Sequence, residues 1–181
     1  NRPYKDFSSY LSQIFSHKVQ KISINAGFSC PNRDGTKARG GCTYCNNNSF
    51  SPKYGKVMLK DISIQLKKGI DFFSHKYSEM KYIAYFQSYT STYDSIDSLI
   101  NMYNEALSYP DIVGLIVSTR PDCMPDSLLD YFEKIKQEKF VLIEYGVEST
   151  INKTLERVNR QHTFEESCEA IRRTDKRGIP V

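Results

Sequence analysis

The sequence predicts an α/β domain built on a parallel sheet, and three observations carry that reading. Residues 82–86, 112–118 and 140–147 are apolar nearly throughout, as strands covered on both faces are. Each is followed by a segment whose apolar residues recur at helical spacing. Strand starts lie about 27 to 39 residues apart, which suits βα units joined by right-handed crossovers. That spacing fits an open doubly wound sheet and an arc of a barrel equally well.

Taken in order, residues 6–17 carry Phe7, Tyr10, Leu11, Ile14 and Phe15 at helical spacing and predict an amphipathic first helix. Residues 21–26 read as a short strand, followed by a long turn-rich stretch that holds the clustered cysteines. A helix is predicted over 61–74. After strand 82–86 comes a helix through Ile96, Leu99, Ile100, Tyr103 and Leu107, and after 112–118 one through Leu128, Leu129, Phe132 and Ile135. Near Thr163 another helix begins, with Thr163 and Glu166 placed to form a capping box and Phe164, Cys168 and Ile171 on its apolar side. Gly178 closes it, and Ile179-Pro180-Val181 reads as the opening of a further strand. A parallel strand cut at its third residue leaves a sheet edge unfinished. Residues 1–181 are therefore expected to be the N-terminal part of one longer domain.

At 181 residues, with 39% hydrophobic and 25% charged, the chain has the balance of one globular domain. No apolar run approaches the roughly 20 residues of a membrane helix, and no segment reads as a signal peptide, so the expected location is cytoplasmic, without a membrane partner. The net charge of +4 is spread along the chain, which permits a nucleic-acid partner without arguing for one. Five cysteines is an odd number, and three of them crowd between positions 30 and 45. In a reducing compartment such clustering points to metal or redox chemistry and away from a disulfide framework.

The clustered stretch runs Cys30-Pro-Asn-Arg-Asp-Gly-Thr-Lys-Ala-Arg-Gly-Gly-Cys42-Thr-Tyr-Cys45. Thiolates are the soft ligands that iron–sulfur clusters and zinc prefer, and the Cys42-Thr-Tyr-Cys45 spacing lets two sulfurs reach one metal centre from one turn. Asp34-Gly35 can reverse the chain, and Gly40-Gly41 lets backbone approach closely. Arg33, Lys37 and Arg39 bring positive charge to the site. Three thiolates leave one iron of a four-iron cluster open, whereas structural zinc wants four protein ligands. His17, Cys123, His162 and Cys168 are the remaining fourth-ligand candidates, and each is isolated. A thioredoxin-type CxxC should open a helix, but Cys45 runs into Asn46-Asn47-Asn48-Ser49, a poor helix start. On spacing alone an iron–sulfur cluster ranks first, zinc second and incidental cysteines last.

The stretch from Lys21-Ile-Ser-Ile-Asn-Ala-Gly-Phe-Ser-Cys30 through Gly40-Gly-Cys42-Thr-Tyr-Cys45 resembles the radical S-adenosylmethionine (SAM) superfamily. It is most similar to the branch shared with the Elongator catalytic subunit and oxygen-independent coproporphyrinogen oxidase, and within it to a bacterial family of single-cluster proteins. The resemblance continues in Ile143-Glu144-Tyr145-Gly146-Val147-Glu148-Ser149 and in Asn159-Arg160-Gln161-His162-Thr163. It implies that Cys30, Cys42 and Cys45 hold a [4Fe-4S] cluster and that Tyr44 lies against the SAM adenine. It further implies that Arg160 pairs with the SAM carboxylate and that Glu148, standing where relatives often have Gln, bonds a ribose hydroxyl. Gln161 departs from the pattern where relatives often have Gly. After strand 82–86 relatives often carry a glycine-rich segment for the SAM amino group. Gln87 and Ser88 occupy that place here, without a glycine pair.

The strand pattern itself agrees that chemistry sits here. Alternation puts Leu142, Glu144, Gly146 and Glu148 on one face, and two carboxylates flanking a glycine suit a ligand-binding strand end with room at Gly146. The alternative is that they pair with nearby lysines or arginines. Arg120 and Asp122 close strand 112–118 at the same rim and either contact a ligand or pair with each other.

The fold implied by the resemblance is a partial (β/α)6 barrel, cut after the start of its fifth strand. The activity implied is an oxidoreductase-type radical chemistry in which SAM is cleaved to a 5′-deoxyadenosyl radical that takes hydrogen from a substrate. Its implied partners are SAM, an electron donor such as flavodoxin or ferredoxin, and an unidentified substrate, with tRNA suggested by the Elongator-like branch. The rival outside the enzyme class is a zinc-stabilised nucleic-acid-binding module.

Overall fold

The structure, a computed structural model, describes residues 3–46, 61–75 and 79–181. Four strands form one sheet: β1 (Lys18–Ile24), β2 (Met80–Phe86), β3 (Ile112–Thr119) and β4 (Phe140–Tyr145). All three pairings are parallel and the strand order follows the chain order. A doubly wound sheet would reverse its order at a switch point. This one does not, and it is consistent with an arc of a (β/α) barrel.

The crossover helices α3 (Ile62–Ser74), α4 (Ile96–Ser108) and α5 (Asp126–Ile135) cover one face of the sheet. Ile22 and Ile24 of β1, Ala84 and Phe86 of β2, Leu115 and Val117 of β3, and Val141 and Ile143 of β4 share one core with Leu66, Leu99, Tyr103, Leu128 and Phe132 from those helices. Gly69 lets α3 lie flat on the sheet, since a Cβ there would sit 2.4 Å from the Ile22 side chain. The opposite face is apolar only at its N-terminal end. There α1 (Phe7–Ile14) sets Leu11 against Ile83, Tyr85 and Ile116, with Phe7, Phe15 and Phe140 alongside. Farther along that face the outward positions turn polar, at Ser118 and Glu144. The inner face is thus plugged at one end and open at the C-terminal ends of the strands.

The capping box at Thr163 forms with both of its hydrogen bonds, 2.7 and 3.2 Å, and starts α7 (Phe164–Lys176). Arg173 and Arg177 of α7 pair with Asp126 and Asp130 of α5, tying the last helix to the sheet's covering layer. Ile179 is buried, and the Ile143 N–H donates to Pro180 O at 2.9 Å. Residues 179–181 form no strand in the structure, where a strand opening was expected, and that single bond joins them to β4. Several boundaries differ from expectation. β1 begins at Lys18 and ends at Ile24, and α1 stops at Ile14, because Phe15 turns extended to pack on Phe140. Two short helices, α2 (Pro31–Asp34) and α6 (Asn152–Arg157), and a 3-10 turn at Pro121–Cys123 carry too few residues to show a period.

Candidate functional site

The cysteine loop leaves β1 and immediately winds one helical turn. Cys30 is the N-cap of α2, Pro31 its first residue, and Gly35 ends it in the left-handed region at φ 98°. The predicted Asp34-Gly35 reversal is present, with the Thr36 N–H donating to Asp34 Oδ1 at 2.9 Å, a bond that holds the Asp34 carboxyl below its ordinary pKa. The chain returns through Gly40 and Gly41, both left-handed, and the Cys45 N–H closes a turn on Cys42 O at 3.0 Å. From Asn47 onward, the asparagine run after Cys45 lies outside the described residues.

A single cavity of about 450 Å³ sits at the C-terminal ends of the strands, and Cys30, Cys42 and Cys45 all line it. Cys42 is buried and the other two are partly exposed. The remaining thiols stand apart. Cys123 faces a different, smaller cavity, with its pKa pushed up to about 11 chiefly by burial, and Cys168 is exposed. Among the described residues lining the main cavity there is no fourth cysteine and no histidine. Nor, among the described residues, do three or more Cys, His, Asp or Glu side chains converge as around one ion. His162 lies beside the site, but its Nε2 accepts from Arg160 Nε at 2.8 Å and its ring faces Thr163 O through Nδ1 at 3.1 Å. Burial leads the effects that lower its pKa, which favours the neutral ring that this pairing requires.

Two asparagines that the sequence reading passed over hold the loop in place. Asn32 is wholly buried, and its Nδ2 donates to Asn159 O at 2.6 Å and Arg160 O at 3.0 Å while lying 3.5 Å from Cys42 Sγ. Asn159 answers by donating from Nδ2 to Gly41 O at 2.9 Å, and the Thr43 N–H reaches Val158 O at 3.1 Å. The cysteine loop is therefore stitched to the segment after α6. The available signal was the pair of Asn-Arg steps, Asn32-Arg33 and Asn159-Arg160.

Arg160 is almost fully enclosed. Besides His162 it bonds Gly146 O from Nη2 at 2.6 Å, lies 3.9 Å from Glu148 Oε1, and brings Nη1 within 3.8 Å of Cys42 Sγ. Gly146 leaves room as expected, but the room is taken by this guanidinium: a Cβ at Gly146 would stand 2.8 Å from both Arg160 Nη2 and Glu148 Oε1. The strand alternation predicted for Glu144 and Glu148 is corrected here. β4 stops at Tyr145, and Glu148 adopts the left-handed region at φ 65°, reaching the cavity by a turn and not by a strand face. Glu144 does project from the strand into the cavity, where it accepts from Tyr85 Oη at 2.7 Å and Ser118 Oγ at 2.5 Å with Lys21 Nζ 3.9 Å away.

Tyr44 lines the cavity half-exposed, and burial of its remainder leads the effects that raise its hydroxyl's pKa. Gln87 lines it too. Ser88 is buried and is not among the lining residues. The left-handed Tyr89, at φ 63°, swings the chain so that Thr90 faces the cavity in its stead. Arg120 and Asp122 pair with each other through two 2.9 Å hydrogen bonds, and Lys37 adds a further contact to Asp122. Burial alone would raise the Asp122 pKa; the bonds from Arg120 and then Lys37 outweigh it and lower the value.

The model of the Radical SAM superfamily matches residues 30–181, which begins on the first cysteine and takes in the whole cavity. The chain belongs to the radical SAM superfamily. Protein YhcC of Escherichia coli (strain K12) is 40% identical over 176 residues, covering 97% of this chain and 55% of the relative. Protein YtqA of Bacillus subtilis (strain 168) is 34% identical over 178 residues, covering 98% and 55%. Protein MJ0486 of Methanocaldococcus jannaschii is 33% identical over 183 residues, covering 98% and 54%. The chain spans about half the length of these curated relatives.

Radical SAM membership supports an enzyme and implies a [4Fe-4S] cluster and SAM. The residues present fit those groups. Three cysteines line one cavity, and thiolates are the ligands that iron–sulfur groups take. Arginine N–H groups near two of the sulfurs supply the hydrogen-bonding surroundings that such groups require. Among the described residues no helix is long and apolar enough to cross a membrane.

Proposed function

We propose that this protein is a radical SAM enzyme whose Cys30, Cys42 and Cys45 hold a [4Fe-4S] cluster beside a SAM molecule in the cavity. The observation that carries the reading is that three cysteines line one cavity whose described lining residues include no further thiol or imidazole. When bound, the cluster supplies the electron that cleaves SAM to methionine and a 5′-deoxyadenosyl radical, which takes hydrogen from the substrate. The chain's own part is to bind, orient and shield. Tyr44 offers an aromatic face to the adenine, and Glu144 and Glu148 offer carboxylate acceptors to ribose hydroxyls. Arg160, fixed by His162 and Gly146 O, sets a positive charge where the SAM carboxylate is expected. Gln87, which lines the cavity, is the proposed partner of the SAM amino group, with the buried Ser88 next to it in the chain. A low-potential carrier such as flavodoxin or ferredoxin is the proposed electron donor, and the reaction class is an oxidoreductase-type radical step in the cytoplasm.

The test is anaerobic reconstitution with iron and sulfide, then assay for 5′-deoxyadenosine after adding reductant and SAM. About four irons and four sulfides per chain, a brown colour and product formation are expected. Changing Cys30, Cys42 and Cys45 together to Ala should abolish colour and product. A colourless protein holding one zinc, with salt-sensitive nucleic-acid binding, would instead establish the binding-module alternative. Gel shift with tRNA at several salt concentrations then separates an RNA substrate, as the Elongator-like resemblance suggests, from a small molecule.

A further inference from the structure

Two of the three cysteines have an arginine within 3.8 Å, and a third arginine lines the cavity with the remaining one. Arg33 of α2 brings Nη1 within 3.8 Å of Cys45 Sγ. Arg160 does the same for Cys42, also at 3.8 Å. Arg120, at the end of β3, lines the cavity together with Cys30, and its Nη1 is buried without a hydrogen-bond partner. Burial opposes the charge on Arg120, but Asp122 and, farther off, Cys123 and Cys30 hold its proton more tightly than usual.

The three are not electrostatically equal. Asp122 neutralises Arg120 through two 2.9 Å bonds, and Glu148 lies 3.9 Å from Arg160. Arg33, among the described residues, has no carboxylate within the 4 Å that defines an ion pair, and it is exposed. Its charge is therefore the uncompensated one, and its replacement leaves the core untouched.

We propose that Arg33, Arg120 and Arg160 form a cationic collar around the three cysteines, and that Arg33 sets the reduction potential of the iron–sulfur group held there. This rests on the cluster reading above. Reduction adds one negative charge to the group, and a fixed positive charge beside a ligating sulfur stabilises the reduced form more than the oxidised one. Because Arg33 is exposed, water screens its field, and the effect is about tenfold in the reduced-to-oxidised ratio rather than the far larger figure of a dry interior. For one electron, tenfold corresponds to about 59 mV.

The experiment is a potentiometric titration followed by electron paramagnetic resonance on the reconstituted full chain, with Arg33→Lys, Arg33→Gln and Arg33→Glu. At the poise that half-reduces the wild type, the reduced-to-oxidised ratio should be about tenfold lower in Arg33→Gln, about 100-fold lower in Arg33→Glu, and little changed in Arg33→Lys. A purely structural role would not follow this order of charge. Equal potentials across the series, or Arg33→Lys shifting as far as Arg33→Gln, would overturn the proposal. So would a protein in which Arg33→Gln fails to hold iron while Arg33→Lys holds it, since the charge would then serve assembly. Failure of the wild type to assemble any cluster would instead strike the underlying cluster reading, so the two failures are distinguishable.

Discussion

Asn32 is where the fold and the cysteine loop depend on one side chain, and its removal has a cost that can be worked out. Asn32→Ala deletes the donor to Asn159 O at 2.6 Å and to Arg160 O at 3.0 Å. Arg160 O keeps a second donor, Arg120 Nη2 at 2.9 Å, so only Asn159 O loses its side-chain partner. A half-buried acceptor stripped of its partner costs toward the low end of the about 1–3 kcal/mol of a buried one. The small cavity left by the side chain adds to that, while the loss of Asn32 Oδ1, itself buried without a partner, offsets part of it. The balance is a destabilisation of about 1–2 kcal/mol. Asn32→Asp should be worse, about 4 kcal/mol, because it presents a buried carboxylate to two carbonyl oxygens. Urea denaturation of the metal-free chain reads both values from the shift in midpoint at constant slope. The double variant Asn32→Ala/Asn159→Ala should cost less than the sum of the single changes, since both stitch the same loop to the same segment. An Asn32→Ala midpoint within about 0.5 kcal/mol of wild type, or strictly additive single changes, would refute the idea that this pair holds the loop.

Asp122→Asn leaves Arg120 charged and buried with a weaker partner and should cost about 3 kcal/mol near neutral pH, measured by the same denaturation. The Asp122 pKa lies below its ordinary 3.8, so its contribution is complete above that value and is lost as pH falls through the lower folded one; the gap between wild type and Asp122→Asn should close only below about pH 4. Gly146→Ala should fold at a cost of about 1–3 kcal/mol, because the Cβ displaces the enclosed, hydrogen-bonded Arg160 guanidinium and the Glu148 carboxylate but meets no backbone. It should nonetheless weaken S-adenosylhomocysteine binding to the reconstituted protein about tenfold by displacing that guanidinium, and unchanged affinity by calorimetry would show that the Arg160 position is immaterial to the ligand.

What could be read from the sequence was what depends on neighbours along the chain. β2 and β3 announced themselves because burial on both faces demands unbroken apolar runs, and α7 because its capping box and the stop at Gly178 lie within one element. The cysteine loop was legible from ligand chemistry and spacing. The contact between Asn32 and Asn159 was not, because 127 residues separate them and no periodicity encodes such a pairing. A second kind of miss has a sharper cause. Side-chain alternation is a rule about extended backbone, and it lapses at the first residue that leaves the extended region. Glu148 is such a residue, left-handed and just past the end of β4, and it is where the expected strand route for this carboxylate fails; Tyr89, just past β2, is left-handed too. Asn159 and Gln161 adopt the same conformation. Of the five left-handed non-glycine residues described, Tyr89 and Glu148 line the cavity, Asn159 and Gln161 flank Arg160, which lines it, and Asp111 lies elsewhere. Each such conformation costs about 1 kcal/mol or more and persists only where other bonds over-determine it. Asn159 shows how: its carbonyl is held by Asn32 and its amide by Gly41. The strain and the bonds that sustain it are therefore one device, which bends the chain ends inward at the strand termini and sets charged side chains around three sulfurs.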